Sequence, residues 1–371
     1  MRVSLVRNVK ESRSLSMSLY ADCLRDALVK RCDVEDVRLR SDLVYRMAGI
    51  MGLRIQDYVG RFWSFPRQLR EMRSDVFHIV DHANAHLLRV LDPERTVVTC
   101  HDLMLLKLEA GEIPLNGSRP LVAGRAFRWS VGHIQRARAV LCVSQSTMRD
   151  VIRFLGCPLD RLHVVYNGVH RAFRKIQDHG FLSEGRKRLG IDWHMTVLHV
   201  GGSGFYKNLE GIIESLAVLP SGRHGGVHLV KVGENFTPTQ WELVRRLRMG
   251  DSVHYLGKLN VYDLVVIYNL SDLLLFPSLY EGFGWPPLEA MACGTPVVCS
   301  DRGSLKEVVG EAAVIVDPED PKDIADGVER VLTDSGLRKT LVNRGLERAR
   351  LFNWKTTAEG ILRVYEEVIG A

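Results

Sequence analysis

Short β-branched runs alternate with amphipathic stretches of helix length almost from one end of the chain to the other, and no other feature restricts the fold as much. In the first half the strand-like runs are residues 2–7, 34–39, 75–80, 96–100, 138–143 and 163–166. Residues 14–30, between the first two, place Leu15, Leu19, Cys23, Leu24 and Leu28 at the helical period. Such alternation predicts right-handed strand–helix–strand units and a parallel sheet covered on both faces. A charged stretch without sustained period, residues 171–188, then interrupts the pattern and reads as a linker. The alternation restarts with strand-like runs at 196–200, 226–232, 253–255, 273–276, 296–299 and 312–316, followed by helices from Pro321 onward. The expected fold class is α/β, with two doubly wound parallel-sheet domains in succession: residues 1–172, a linker over 173–192, and residues 193–350. The last segment, 351–371, reads as a helix that either packs on its own domain or crosses back to the first. Ligands of such sheets sit outside the carboxyl ends of the strands, so two facing domains imply a cleft between them.

A length of 371 residues agrees with two domains. The formal net charge of +6 favours anionic ligands or a lipid headgroup surface, and is too small to imply nucleic-acid binding. Seven cysteines, scattered without a C-x-x-C pair, fit a reducing cytosol better than a disulfide framework or a zinc site. The first residues lack the apolar core of a signal peptide. The most apolar long window, residues 264–276, is broken by Asn269, Ser271 and Asp272 and closed by Pro277, so no bilayer-spanning segment is expected. The expected location is the cytoplasm, free or on the cytoplasmic face of a membrane.

The stretch with the most chemical content is PSLYEGFGWPPLEAMACGTPVVCS, residues 277–300, directly after a strand-like run. Gly282 and Gly284 permit positive φ and close backbone approach to a ligand. Pro286 and Pro287 suit a helix start. The N–H groups of Phe283, Gly284 and Trp285 are then expected to face an anion, helped by the positive helix end. Glu281 and Glu289 bracket this turn, Glu281 in the loop and Glu289 in the first helical turn. Carboxylates repel phosphate, so they make better acceptors for sugar hydroxyls. A second glycine-rich segment, residues 200–208, also follows a strand, and its Lys207 could reach a diphosphate. It is not a dinucleotide fingerprint, because Lys207 stands where the last glycine of G-x-G-x-x-G belongs, and no G-x-x-x-x-G-K-[ST] loop occurs. In the first half, His101 closes another strand, where an imidazole can donate a hydrogen bond or act on a hydroxyl.

At these residues the sequence resembles the retaining glycosyltransferases of family 4, which have the GT-B fold of two Rossmann-like domains. The matching motifs are Glu281-x7-Glu289 with its glycines and prolines, Thr99-x-His101-Asp102, Val143-Ser144-x-x-Thr147, the Val165–Val169 segment VYNGV, and HVGG-x4-KN over residues 199–208. The resemblance implies metal-independent transfer of a hexose-type sugar, with retention, from a nucleotide-sugar donor to a hydroxyl of a sugar or lipid-linked acceptor, in glycolipid, polysaccharide or cell-envelope glycan synthesis. The donor would be UDP- or GDP-linked, with no cofactor and no nucleic-acid partner. By position, Glu281 would hold donor-sugar hydroxyls and Glu289 the ribose. Lys207, with the amides around Gly282, Phe283, Gly284 and Trp285, would neutralise the diphosphate. Gly202 would approach the donor, Lys258 and Leu259 would flank the base, and His101 would meet the sugar near the reacting carbon.

The chain departs from the family in two places. Gly202 and Tyr206 occupy positions near Lys207 where many relatives carry an arginine, and residues 11–18, with Arg13, Ser16 and Ser18, replace a glycine-rich loop after the first strand. These departures keep open an alternative, a nucleotide-sugar-binding or scaffold protein that has lost catalysis. A phosphorylase and an inverting epimerase of the same fold fit less well, since no lysine stands in a pyridoxal setting and the paired glutamates argue against the epimerase. Residues 38–73 carry eight arginines (Arg38, Arg40, Arg46, Arg54, Arg61, Arg67, Arg70 and Arg73) against three acids (Asp42, Asp57 and Glu71), interleaved with aromatics. That mixture reads as a solvated face or as a surface for anionic lipid.

Overall fold

The computed structural model describes residues 1–8, 15–39, 59–113, 121–193, 195–219 and 226–370. They divide into two compact units. One takes in Met1–Glu112, the chain up to Gly168, and the chain from Trp354 onward; the other is built on Val169–Asn353.

In the first unit the strands are β1 (Arg2–Val6), β2 (Asp33–Val37), β3 (Val76–Ile79), β4 (Thr96–Cys100), β5 (Ala139–Cys142) and β6 (Leu162–Val164). The second has β7 (Met195–Gly201), β8 (Val227–Gly233), β9 (Val253–Tyr255), β10 (Leu273–Phe276), β11 (Val297–Cys299) and β12 (Val314–Ile315). The α-helices, in chain order, are α1 (Leu15–Leu28), α2 (Phe65–Leu69), α3 (Met104–Glu109), α4 (Leu121–Val131), α5 (Gln145–Leu155), α6 (His179–Arg188) and α7 (Leu209–Ala217). They continue with α8 (Pro238–Arg246), α9 (Val261–Leu270), α10 (Trp285–Cys293), α11 (Leu305–Val309), α12 (Pro321–Thr333), α13 (Ser335–Arg350) and α14 (Trp354–Gly370).

Among the described residues every strand pair is parallel. The apolar runs explain why. Successive side chains of a strand point to opposite faces, and in the second sheet both faces are apolar. Leu198, Val230, Leu274, Phe276 and Val297 join one core cluster, while their neighbours Val197, Leu229, Leu273, Leu275 and Val298 join another on the opposite face. A sheet buried on both sides is the usual state of parallel strands joined by crossover helices.

The strand order fixes where a ligand can bind. It is β2-β1-β3-β4-β5-β6 in the first sheet and β12-β11-β10-β7-β8-β9 in the second. In the second sheet the chain runs outward from β7 through β8 to β9, then returns to place β10 on the other side of β7. The loops after β7 and β10 therefore leave the sheet in opposite directions and open a crevice between them, the topological switch point. In the first sheet the corresponding place lies between β1 and β3.

One segment differs from the sequence reading. The stretch read as a linker contains α6, whose first turn is capped by Asp178 Oδ1 accepting from Phe181 N–H at 3.0 Å. Phe173, Ile191 and Trp193, on either side of it, lie in the core of the second unit. The helix escaped notice because its contact face is a glycine: a Cβ on Gly185 would stand 2.6 Å from Val266 of α9. The last helix, α14, belongs to the first unit. Its Tyr365 hydroxyl meets His78 Nδ1 of β3 at 2.6 Å, Thr357 donates to the Tyr166 carbonyl at 2.8 Å, and Glu359 pairs with Arg31 at 2.8 Å.

Candidate active site

The switch point of the second unit gathers most of the residues singled out from sequence. After β7, Phe205–Lys207 form a single 3-10 turn, and Asn208 takes a left-handed conformation (φ 56°) that Asn tolerates better than most residues. The Asn208 amide donates to the carbonyls of Pro277, after β10, at 3.1 Å and of Pro318 at 2.6 Å. Leu279 N–H donates to the Tyr206 carbonyl at 2.8 Å. The two loops are thus sewn together by backbone and amide bonds. Lys207 Nζ then meets Glu281 Oε1 at 2.6 Å, with both side chains nearly buried (12% and 11% exposed). The ammonium also lies 5.0 Å from the centre of the Phe276 ring.

Gly284 caps α10 with φ 96°, and a Cβ there would come within 2.7 Å of Leu305. Pro286 and Pro287 follow inside the first turn. Among the described residues no acceptor serves the N–H groups of Phe283 or Gly284. The loop is held from behind by Ser304, whose N–H and hydroxyl donate to the Glu281 carbonyl and whose hydroxyl also reaches the Phe283 carbonyl at 2.8 Å. Gly303 (φ 64°) makes room for that backing, since a Cβ on it would stand 2.2 Å from the Glu281 carbonyl oxygen.

Glu289 lies one turn further into α10 than expected, because the helix begins at Trp285; its first turn holds no acid. It is buried, and Tyr268 of α9 donates to its Oε2 at 2.8 Å. Burial raises its pKa to about 7, against the opposing effect of the tyrosine hydrogen bond. Near pH 7 a carboxyl group held in this way is divided between its neutral and ionised forms.

The other residues expected at the site lie some in the second unit and some in the first. A Cβ on Gly202 would stand 3.1 Å from Glu234 Oε2, and that oxygen accepts from Ser203 N–H at 3.1 Å, so this amide of the glycine loop is already used. Lys258 is exposed and Leu259 packs on the core, in a turn whose Gly257 carbonyl accepts from Gly233 N–H at 2.8 Å at the end of β8. His101 belongs to the first unit, just after β4. Its Nε2 lies 2.8 Å from the Val80 carbonyl, which can only accept, so the proton is on Nε2 and Nδ1 is left as the acceptor. Burial lowers its pKa, against the pull of Asp81, and the Tyr20 ring packs edge-on at 4.8 Å. The donor role expected of this imidazole is therefore spent inside the protein. Thr147, at the start of α5, donates to the His101 carbonyl at 3.3 Å, and Ser144 caps that helix. Of the first loop, Arg13 lies outside the described residues; Ser16 is exposed and the Ser18 carbonyl accepts from Arg7 at 3.2 Å. Arg7 itself is locked to Asp22 at 2.7 Å and Asp36 at 2.8 Å.

Residues 29–173 match the profile of Glycosyltransferase Family 4, and residues 185–348 match that of Glycosyl transferases group 1. The chain belongs to the family 4 glycosyltransferases. This glycosyltransferase is 28% identical over 301 residues to O-antigen chain mannosyltransferase B of Escherichia coli, covering 80% of this chain and 76% of that protein. It is 31% identical over 283 residues to the serotype-specific mannosyltransferase WbdA of Escherichia coli, matching 72% of this chain but only 32% of that longer protein. Among solved structures, sucrose-phosphate synthase from Thermosynechococcus elongatus superposes with a TM-score of 0.80 at 20% identity, over 100% of this chain and 99% of that one. Anabaena HepE in complex with UDP and glucose gives 0.73 at 18%, over 99% and 100%. The architecture of two parallel six-stranded sheets is GT-B. Sequence reasoning missed Tyr268, Ser304, Gly303 and Lys231 in this glycosyltransferase. The first three sit in ordinary apolar or turn contexts and carry no local signal. Lys231 does carry one: it is a charge inside an otherwise apolar strand run.

Proposed function

We propose that this glycosyltransferase moves a hexose from a UDP- or GDP-linked donor to a hydroxyl acceptor with retention and without a metal ion. The single observation that carries the reading is the Lys207–Glu281 pair joining the two loops of the switch point. There the ammonium and the N–H groups of Phe283, Gly284 and Trp285 receive the diphosphate, and Glu281 turns to the sugar hydroxyls. Glu289 takes the ribose hydroxyls, and Gly202, Gly282, Lys258 and Leu259 line the nucleotide. In the reaction the bond between C1 and the phosphate oxygen breaks, the acceptor oxygen bonds to C1 on the same face, and the acceptor's proton passes to the departing phosphate. Charge grows on that phosphate, so fixed donors aimed at it are the main catalytic contribution. His101, in the first unit, keeps Nδ1 as an acceptor that a hydroxyl can use. The mannosyl relatives favour a hexose, and HepE's complex with UDP favours a nucleoside diphosphate leaving group.

Thermal-shift screening against UDP-, GDP-, ADP- and dTDP-sugars identifies the donor, because a ligand bound only by the native state raises the melting point. Lys207→Met and Glu281→Gln should each lower kcat by ~10²–10³-fold, the scale of losing one transition-state donor. Undiminished transfer in both variants refutes the site; a strict metal requirement, lost with EDTA, refutes the metal-free account. NMR of the product's anomeric proton decides retention. Attachment to anionic membranes is part of the same proposal, supported by exposed Trp63 with the Arg67 guanidinium 5.9 Å from its ring centre. Arg40, Arg46 and Arg54 of that stretch lie outside the described residues. No helix among the described residues is long and apolar enough to cross a membrane. Sedimentation with vesicles containing anionic lipid, at low and high salt, is the check.

A further inference from the structure

β8 carries a lysine where a sheet covered on both faces expects an apolar side chain. Lys231 is wholly buried and stands in register beside His199 of β7. Its Nζ donates to the Gly201 carbonyl at 2.6 Å and to the Val232 carbonyl at 3.2 Å. Gly201 is the last residue of β7, the root of the loop that ends in Lys207. The ammonium is therefore braced against the base of that loop. Among the described residues it makes no ion pair, although a buried charge without a partner is costly.

The surroundings explain how it survives and what it can affect. From β7 the nearest titratable group is His199, whose Nδ1 lies 3.2 Å from the Leu275 carbonyl, so the proton is on Nδ1 and the ring is neutral. Its Nε2 is buried with no hydrogen-bond partner. From the loop after β8, Glu234 attracts the ammonium but is turned to Ser203. From the loop after β7, Lys207 repels it, and the loop after β10 contributes Glu281, already engaged by Lys207. Burial, then this repulsion, hold the Lys231 pKa down to about 8, with Glu234 opposing. The result is a positive charge stored behind the glycine loop without a carboxylate in contact.

We infer that Lys231 is a positioning residue of the donor site: it fixes the Gly201 carbonyl, and so the path of the loop to Lys207, and it adds a second positive charge behind the nucleoside diphosphate. The inference rests on the donor-site reading above. Two parts of the structure support it independently of that reading. The approach of β7 and β8 at this point is so close that a Cβ on Gly233 would stand 2.3 Å from the Gly201 carbonyl oxygen, so the carbonyl that the ammonium holds sits at a tight junction where a small displacement is passed on to the loop. The lysine stem would serve as well if it were an apolar side chain, so packing alone does not call for an amine here.

The test uses the full chain with UDP and GDP as probes, titrated by calorimetry near pH 7 and near pH 9, for the wild type, Lys231→Met and Lys207→Met. Across that range a group with pKa about 8 falls from roughly nine-tenths to roughly one-tenth protonated, so wild-type affinity should weaken by about tenfold. Lys231→Met should keep or raise the melting temperature, since it removes a buried charge. It should bind more weakly than the wild type near pH 7 and lose the tenfold part of the slope that Lys231 contributes, keeping only what Glu289 adds as it ionises. Lys231→Met with wild-type affinity and wild-type slope overturns the inference, while loss of binding in Lys207→Met alongside it leaves the donor site standing. If the methionine variant does not fold, Lys231→Gln is titrated in its place, and wild-type affinity with the wild-type slope overturns the inference. Binding of neither diphosphate by the wild type defeats the donor-site reading and this inference together.

Discussion

Replacing Glu289 by Gln should make the protein more stable in alkali while it loses the donor. The carboxyl is buried under Tyr268, and its pKa stands at about 7 in the folded state against a usual value of 4.5. The folded state therefore holds its proton to higher pH than the unfolded chain does. Folding stability falls as pH rises from about 4.5 to about 7 and stays low above that. A difference of roughly 2.5 pH units at ~1.36 kcal/mol each gives about 3 kcal/mol lost near pH 8.5, and under 1 kcal/mol near pH 4.5. Glutamine keeps the acceptor that Tyr268 needs and carries no charge to ionise. Urea unfolding of wild type and variant at both pH values measures the contrast. The offset between the two proteins includes whatever the buried amide fails to pair, a cost of ~1–3 kcal/mol. The change of that offset with pH does not include it. An advantage of the glutamine variant that grows by about 3 kcal/mol from the acid to the alkaline condition is the expected result. A parallel pair of pH–stability curves would refute the reasoning, because the carboxylate would then ionise in the folded state as easily as in water.

Three other perturbations bear on the site and its support. Tyr268→Phe removes the hydroxyl that favours the ionised carboxylate, so the pH at which stability stops falling should move above about 7 in the same urea series. Gly303→Ala asks an alanine to adopt φ 64° at a cost of ~1–2 kcal/mol and drives its Cβ into the Glu281 backbone, so kcat/KM should fall further than the urea midpoint accounts for. Tyr365→Phe leaves His78 Nδ1 without its 2.6 Å partner and should destabilise the first unit by ~1–3 kcal/mol, read by denaturant unfolding, with substrate affinity in the second unit unchanged.

The two sheets were legible because parallel strands buried on both faces have to be nearly continuous apolar runs, and those runs survive in the sequence as they stand in space. Residues 96–100, 253–255 and 273–276 become strands with those bounds. Helix α6 was hidden for the opposite reason: it packs through a bare glycine and shows water a polar face, so no apolar period marks it. Glu281, Lys207 and Gly284 could be picked out because each stands in a loop directly after a strand, where chemistry is expected to collect. Their partners could not. Tyr268 reaches Glu289 from the interior of an apolar helix, Ser304 backs the elbow from a later turn, and nothing local distinguishes either from a core or surface residue. The single proton of His101 is likewise committed by tertiary structure, to a carbonyl twenty-one residues earlier in the chain. Lys231 is different: a charge in the middle of HLVKVG was visible, and the rule that a doubly covered sheet excludes lone charges would have singled it out.

Helix α14 closes over His78 and Tyr20 in the first unit, yet it is made only after every residue of the second. During synthesis the strands and helices of the second unit all come from one uninterrupted stretch, Val169–Asn353. The earlier-made sheet must wait, with a buried histidine open to water and an apolar helix face uncovered, until the ribosome delivers its last helix. Order of birth and order of completion are thus reversed, and a ribosome stalled before Trp354 would leave the older half of the enzyme as the half in need of a chaperone.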